Sequence, residues 1–348
     1  MIRRPRLSPV VGVARNLVRQ ALRDAEVAQG SLVLVACSGG PDSLALAATA
    51  SHFARSGEFR VGAVVVDHGL QAGSADVADR AQQQLQALGL DPVEVRRVTV
   101  PTSGMGPEAA ARTVRYEALD AAVVGHGAAA VLLGHTLDDQ AEQVLLGLSR
   151  GSGTRSLAGM PARRGSYLRP FLSLQRADTD EVCRFENLQP WHDPSNADPV
   201  FARSRVRSEV LPYLEEQLGP GIARALYRTS RILGQDADYL DAVSKDEYGR
   251  IRREHDGGIL LSEEALRSLP PSLRQRVLAL AVVELGGVQP SYERLLAAEN
   301  LLRREGSAGP VQLGGNVSAY RQVRGKPVPH GEPGYGSLVL RKNRRVPS

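Results

Sequence analysis

The chain has 348 residues, a formal net charge of +5, and 42% hydrophobic against 23% charged residues. That length exceeds one ordinary core, so at least two domains are expected in a soluble globular protein. No apolar run approaches the roughly 20 residues of a membrane helix, which argues against a membrane partner. Two cysteines, Cys37 and Cys183, are too few for a zinc cluster or a disulfide framework, so the cytoplasm is the expected location.

The N-terminus, Met1-Ile2-Arg3-Arg4-Pro5-Arg6, is basic, but no apolar stretch follows it as a secretion signal would require. Val10, Val13, Leu17 and Ala21 recur instead at helical spacing. Strand-like runs follow at 32–37, 61–66, 93–98 and 131–133, with helix-like runs between them at 44–55, 75–88 and 108–124. This alternation predicts an α/β fold, a parallel sheet with helices on both faces. Ligands of such sheets bind beyond the carboxyl ends of the strands, where the loop after the first strand, Asp67-His68 and His135 would all open.

Ser38-Gly39-Gly40-Pro41-Asp42-Ser43 joins the first strand to the first long helix. A glycine turn at a helix start collects unpaired N–H groups and the positive end of the helix dipole, which suits a phosphate. The common P-loop would need a lysine here, and the chain has none before Lys245. Asp42 stands in the turn instead. A carboxylate beside phosphates calls for a bridging cation, so Mg²⁺ with ATP or pyrophosphate is expected. The plainer reading is a simple turn with Asp42 and Ser43 as caps. Cys37 reads as a small buried residue rather than a nucleophile.

Two charged clusters follow. Arg112 and Arg115 are three apart on a predicted helix, a spacing that suits phosphate oxygens, or else surface pairing with Glu108 or Glu117. In His135-Thr136-Leu137-Asp138-Asp139-Gln140-Ala141-Glu142, a helix over 137–148 puts Asp139 and Glu142 on one face. They could hold a divalent metal or an ammonium group, while His135 could reach a phosphate. The alternative is a capped helix whose acids answer its dipole.

Beyond a glycine-rich loop (Arg150-Gly151-Ser152-Gly153-Thr154), turn signals stand at Arg169-Pro170-Phe171 and Asp193-Pro194-Ser195-Asn196. From about Gly219, apolar residues such as Ile222, Leu226, Leu233, Ala237 and Leu240 recur at helical spacing. Val311-Gln312-Leu313, Gly314-Gly315-Asn316 and Val317-Ser318-Ala319-Tyr320 look like a hairpin, and 337–340 like a further strand. From Arg303 onward nine basic residues, Arg324, Lys326, Arg344 and Arg345 among them, face only Glu305 and Glu332. That balance suggests a polyanionic partner, or a solvated terminus; in the first case removing 338–348 should lower affinity for it and flatten the salt dependence. The expected organisation is a catalytic domain over 1–215, a helical domain over 216–305 and a basic β-hairpin-like segment over 306–348.

Taken together, several blocks resemble the tRNA(Ile)-lysidine synthases of the PP-loop ATP pyrophosphatase group. They are Ser38 to Ser43, Val66-Asp67-His68-Gly69-Leu70, Arg112 to Tyr116, His135 to Glu142, Arg150 to Gly153 with Gly159-Met160, Arg169-Pro170, Trp191 to Asn196, and Arg203-Ser204-Arg205-Val206-Arg207. They cover roughly residues 30–215; the first is shared by the whole group and the later ones are specific to the lysidine enzymes. The resemblance implies a two-step ligase. The wobble cytidine of an isoleucine tRNA with a CAU anticodon attacks ATP through its carbonyl oxygen, releasing pyrophosphate. The amine of free L-lysine then displaces AMP.

The resemblance implies nucleotide binding by Ser38, Gly39, Gly40, Pro41, Asp42, Ser43, Asp67 and His68, with Mg²⁺ at Asp42. Asp42, Arg115, His135, Asp139 and Glu142 would be catalytic. Arg112, Asp139, Glu142, Arg205 and Arg207 would hold substrate, with lysine near the acidic helix. By analogy alone it admits a homodimer. Gln143 and Ser204 stand where the family often has Thr and Asn, and neither change removes a charge. The C-terminal half carries no matching block and is closest to the family's shorter members.

Rival readings are another PP-loop enzyme, such as a tRNA thiolase or an amide-forming synthetase, or a non-catalytic tRNA binder. Thiolation calls for paired cysteines, and Cys37 and Cys183 are single and distant in sequence. Amide synthetases do not fit the later blocks. A pure binder gains nothing from acids facing phosphate.

Overall fold

The computed structural model describes residues 8–69, 73–101, 106–193, 198–321 and 335–343, with backbone alone at 107 and 108. The basic opening at 1–6, Leu70, Pro194-Ser195-Asn196, Arg324, Lys326, Arg344 and Arg345 lie outside the described residues. The chain divides into two compact units, Met1–Gly234 and Gln235–Ser348.

The first unit is built on strands β1 (Leu32–Cys37), β2 (Arg60–Asp67), β3 (Val93–Arg97), β4 (Ala130–Leu133), β5 (Arg163–Arg164) and β6 (Tyr167–Leu168). They lie in the order β3-β2-β1-β4-β6-β5, all neighbours parallel except β5 and β6. Every residue of β1 is buried, as expected of a strand covered on both faces. Its alternate side chains serve two cores. Val33, Val35 and Cys37 join the side of α1 (Pro9–Asp24), α2 (Pro41–Arg55) and α3 (Ser74–Ala87), while Leu32, Leu34 and Ala36 join that of α4 (Pro107–His126). The chain reverses direction across the sheet between β1 and β4. That switch point is where open α/β sheets leave a crevice at their carboxyl edge.

Helix α1 forms where expected but buries Val11, Ala14, Val18 and Leu22, while Val13 is 49% exposed. Each buried residue is one step, about 100° of rotation, beyond the spacing read from the sequence. Both sets are apolar, and packing against α2 chose between them. The rest of the unit comprises α5 (Leu137–Leu148), α6 (Thr154–Leu157), α7 (Arg176–Phe185), α8 (Ala202–Arg205), α9 (Leu211–Leu218) and the start of α10 (Ile222–Ile251).

The second unit takes the rest of α10, then β7 (Arg252–His255), β8 (Gly258–Ser262), α11 (Glu263–Ser268), α12 (Pro271–Glu284), α13 (Tyr292–Asn300), β9 (Val311–Gly314), β10 (Val317–Arg321) and β11 (Ser337–Lys342). The 311–320 hairpin is present, turning through Gly315 and Asn316, both at positive φ. The β7–β8 hairpin, however, interrupts the stretch expected to be helical. Its turn is Asp256-Gly257, again both at positive φ, but β7 is almost wholly polar and shows no apolar alternation. All five strands form one antiparallel sheet, β7-β8-β11-β10-β9. The 306–348 segment therefore shares a sheet and a core with 252–302 rather than standing apart. Leu338, Val339 and Leu340 of the central strand β11 are fully buried, so deleting 338–348 would dismantle the sheet rather than trim a free arm.

Candidate active site

The loop after β1 is braced from within. Ser43 Oγ accepts the Ser38 N–H at 3.1 Å and lies 3.0 Å from the Gly40 carbonyl to which it donates. Gly39 takes a left-handed φ of 80°, and its carbonyl accepts the Trp191 N–H at 2.9 Å. Pro41 opens α2 without a side-chain cap, so neither Asp42 nor Ser43 caps the helix and its first N–H groups stay turned toward the loop. At the end of β4, a Cβ on Gly134 would stand 2.9 Å from the Asp42 carbonyl oxygen. Only glycine lets β4 press against this turn, and that contact brings His135 to the loop.

Around this edge the polar groups lack partners. The Nδ1 atoms of His68 and His135 are buried with no hydrogen bond. Burial, with the Arg115 charge, keeps His68 below its usual range, and burial takes His135 down to about 3, so both rings are neutral at pH 7. Burial and the neighbouring Arg112 also lower Arg115, which still remains cationic. No carboxylate among the described residues pairs with Arg115. A half-buried guanidinium without a counter-ion carries a desolvation cost, and two neutral imidazoles do not neutralise it. Asp67 is a turn former: its Oδ1 accepts the Gly69 N–H at 3.0 Å. Arg112 is exposed, its guanidinium 5.2 Å from the centre of the Tyr116 ring, and it forms no ion pair with Glu117.

The acidic cluster is the opposite case. Asp139 closes a capping box on α5, its Oδ2 accepting the Thr136 N–H at 2.8 Å. Its Oδ1 accepts from Arg176 Nη2 at 2.9 Å and Arg203 Nη2 at 3.2 Å. Glu142, 1% exposed, accepts from Arg176 Nη2 at 2.9 Å and Arg203 Nε at 2.8 Å. Burial pushes the Asp139 carboxyl up, but Arg176, Arg203, His135 and the Thr136 N–H outweigh it and hold it below the usual range. Burial likewise opposes both guanidinium charges, and the two carboxylates outweigh it. The capping reading of Asp139 is thus correct, and the same carboxylate also pairs with two arginines.

The first turn of α7 ties this ring to the loop. Asp138 Oδ2 accepts the Arg176 N–H at 2.9 Å, Thr179 Oγ1 lies 2.5 Å from Asp42 Oδ1, and Arg176 Nε is 3.9 Å from Asp42 Oδ2. Burial pushes the Asp42 carboxyl up to about 6 against the pull of Thr179, Arg176 and Arg207. The charge of Arg207 thus reaches the loop acid, with no ion pair between them. Arg205, by contrast, is exposed and donates to the carbonyls of Pro199 and Val200. Arg203, in the same block, is the residue that joins the acidic ring. Arg176 and Thr179 carried no signal in the sequence, because their partners lie far away along the chain.

Two further contacts shape the rim. The buried Gln140 amide bonds both backbone groups of Met160, at 2.8 and 2.7 Å, which anchors the glycine-rich loop to α5. Buried Arg169 donates to the Pro161 carbonyl at 2.9 Å. Both cysteines back the nucleotide loop, with Cys183 Sγ 3.3 Å from the Pro41 carbonyl. Burial raises both thiols, Cys183 to about 12, so neither is a ready nucleophile. Among the described residues no cluster of three or more metal-ligating side chains occurs. Asp42 alone suffices for Mg²⁺, which takes one or two carboxylates and completes its shell with phosphates and water.

A family model described as the PP-loop domain matches residues 13–214, and one described as the TilS substrate binding domain matches residues 261–323. The tRNA(Ile)-lysidine synthase of Thermobifida fusca is 52% identical over 278 residues, 80% of this chain and 84% of that one. That of Leifsonia xyli is 50% identical over 297 residues, 85% and 89%. Among solved structures, the U34-tRNA thiolase NcsA from Methanococcus maripaludis is 20% identical and aligns with a TM-score of 0.52 over 64% of this chain and 80% of that one. At that identity the likeness concerns the fold alone.

Proposed function

The chain belongs to the tRNA(Ile)-lysidine synthase family of PP-loop enzymes, and from that premise we propose that it ligates free L-lysine to the wobble cytidine of an isoleucine tRNA with a CAU anticodon. ATP is the co-substrate, and pyrophosphate and AMP are released. A tRNA substrate places the reaction in the cytoplasm. The observation that carries the reading is the Arg115 guanidinium, which has no carboxylate partner among the described residues and whose charge acts on two neutral histidines, together with the uncapped start of α2. These groups await an anion of several charges, and a triphosphate is one.

The 38–43 loop and the start of α2 cradle the phosphates, with Arg115 balancing charge that builds on the leaving pyrophosphate. Asp42 would hold Mg²⁺, which supplies further charge neutralisation when bound. In the first step the cytosine carbonyl oxygen bonds to the α-phosphorus as the bond to pyrophosphate breaks. In the second the lysine amine bonds to the same base carbon, AMP leaves with the oxygen, and the amine gives up a proton.

Asp139 and Glu142 receive the substrate lysine by exchange. Both already hold arginines, so an added ammonium must displace one of them. The α-carboxylate of lysine is a ready partner for the displaced guanidinium, so no buried charge is stranded. The deciding assay supplies ATP, Mg²⁺, labelled lysine and the matching tRNA. Label in the tRNA with release of AMP is the expected result. Label that requires a sulfur donor would make the enzyme a thiolase, and tRNA binding without turnover would make it a binder. In the same assay Asp139→Asn raises the KM for lysine more than the KM for ATP; equal changes would remove lysine from this ring.

A further inference from the structure

Helix α10 begins with charges that work against its own stability. Arg224 lies in the first turn, and Arg228 and Arg231 follow it by four and then three residues, on one face. The N-terminal end of a helix carries partial positive charge and favours acids, yet this first turn has none. Like charges at these spacings also repel one another.

The Glu215 carboxylate answers the dipole of this helix start, but no carboxylate among the described residues pairs with the three arginines. From Gln217 to Gln235 the chain has no acidic residue. Glu215, the nearest acid that could serve, accepts the N–H groups of Gly221 and Ala223 at 2.5 and 3.0 Å. All three arginines are exposed, and none forms an ion pair among the described residues. Arg224 donates to Gln175 Oε1, at 2.7 Å from Nη2, a neutral acceptor that leaves its charge uncompensated. A merely solvated face would interleave both signs. Here Asp236, Asp238, Asp241, Asp246 and Glu247 are held back to the later part of the same helix.

The stripe also starts at the active site. Gln175 caps α7, and the next residue is Arg176, which grips Asp139 and Glu142. The three Cα positions span about 10 Å along the helix axis. A neighbouring face, with Ala223, Leu226 and Tyr227, packs against α5, and the basic stripe faces away from that contact.

We propose that Arg224, Arg228 and Arg231 form a track for the RNA backbone of the tRNA, leading away from the nucleotide under modification. This rests on the tRNA-ligase reading for the identity of the polyanion. The guanidinium forks suit successive phosphates, and a bound phosphate at this helix end removes the repulsion that the free helix tolerates.

The test uses the full-length enzyme and the matching tRNA transcript, with equilibrium binding measured from 50 to 200 mM salt. Arg228→Gln with Arg231→Gln should lower affinity roughly tenfold or more near 0.1 M salt and reduce the salt slope by about one for each arginine. The paired change to lysine should recover most of both. The melting temperature of the glutamine variant should hold or rise, since like charges are removed. Unchanged affinity overturns the proposal, as does a loss of affinity whose salt slope stays at the parent value. Binding is read without turnover, so the two readings fail separately. A parent enzyme that binds tRNA through the stripe but transfers no lysine would sink the chemistry and keep the track.

Discussion

Arg115 and Arg176 are guanidinium groups at the carboxyl edge of one sheet, in opposite circumstances. Arg176 holds two carboxylates at 2.9 Å each and faces a third. Arg115 lies within electrostatic reach of Cys37, His68, His135 and two tyrosines, with no carboxylate paired to it among the described residues. One is a finished ion-pair network whose ligand must enter by exchange. The other is an unfinished one whose missing member is the substrate. A site can therefore be prepared for a charged ligand in two ways, and removing a residue should tell them apart.

The largest effect is expected in the finished ring. Glu142→Gln leaves Arg176 and Arg203 to share the Asp139 carboxylate, with one buried positive charge uncompensated, and should destabilise the protein by about 3–5 kcal/mol in denaturant titration. A change below about 1 kcal/mol would mean that the pairs are solvent-screened. Arg115→Gln should do the reverse. It should lower kcat/KM roughly 10²–10³-fold while leaving stability unchanged or higher, because a costly unpaired charge is gone. A stability loss comparable with that of Glu142→Gln would erase the contrast.

Asp42 belongs with Arg115. Its carboxyl sits at about 6 in the folded protein, above its ordinary value, so between about pH 4 and 6 the folded state binds the extra proton. Its contribution therefore falls as pH rises through that window, and Asp42→Asn should be more stable than the parent at pH 7 by about 1–3 kcal/mol, yet inactive. Matching pH–stability curves for the two proteins would refute this. The smallest effect belongs to Arg205→Ala. Its partners are two loop carbonyls at the surface, so stability should move by less than about 0.5 kcal/mol and activity by less than about threefold. Arg203→Ala, two residues away, should behave like Glu142→Gln.

Much of the first unit was legible because its signals are local. β1 reads as an unbroken apolar run and α5 opens on a Thr-x-x-Asp box, and both stand at the residues expected. The 38–43 turn announces itself through adjacent glycines and a proline at the helix start. What the sequence left open has one cause. Val10 and Val11 are equally apolar, so only the packing of α1 could choose its face. Arg205 and Arg203 are equally basic, and the turn into α8 decides which reaches Glu142. The polar strand β7 has no alternation to detect, and it exists because β8 supplies its hydrogen bonds.

The sequence by itself determined the alternating strands and helices, the glycine bend, the carboxylates and arginines available for chemistry, and the kinship with lysidine synthases. These depend on residue type and short-range spacing, which the backbone reads within a turn or two of its own helix or strand. Only the tertiary structure decided which charges meet. Arg176 and Thr179 reach Asp42 and α5 across more than thirty intervening residues, and among the described residues the fold brings no acid to Arg115. Pairing depends on three-dimensional proximity and burial, and neither is encoded in how far apart two residues stand along the chain.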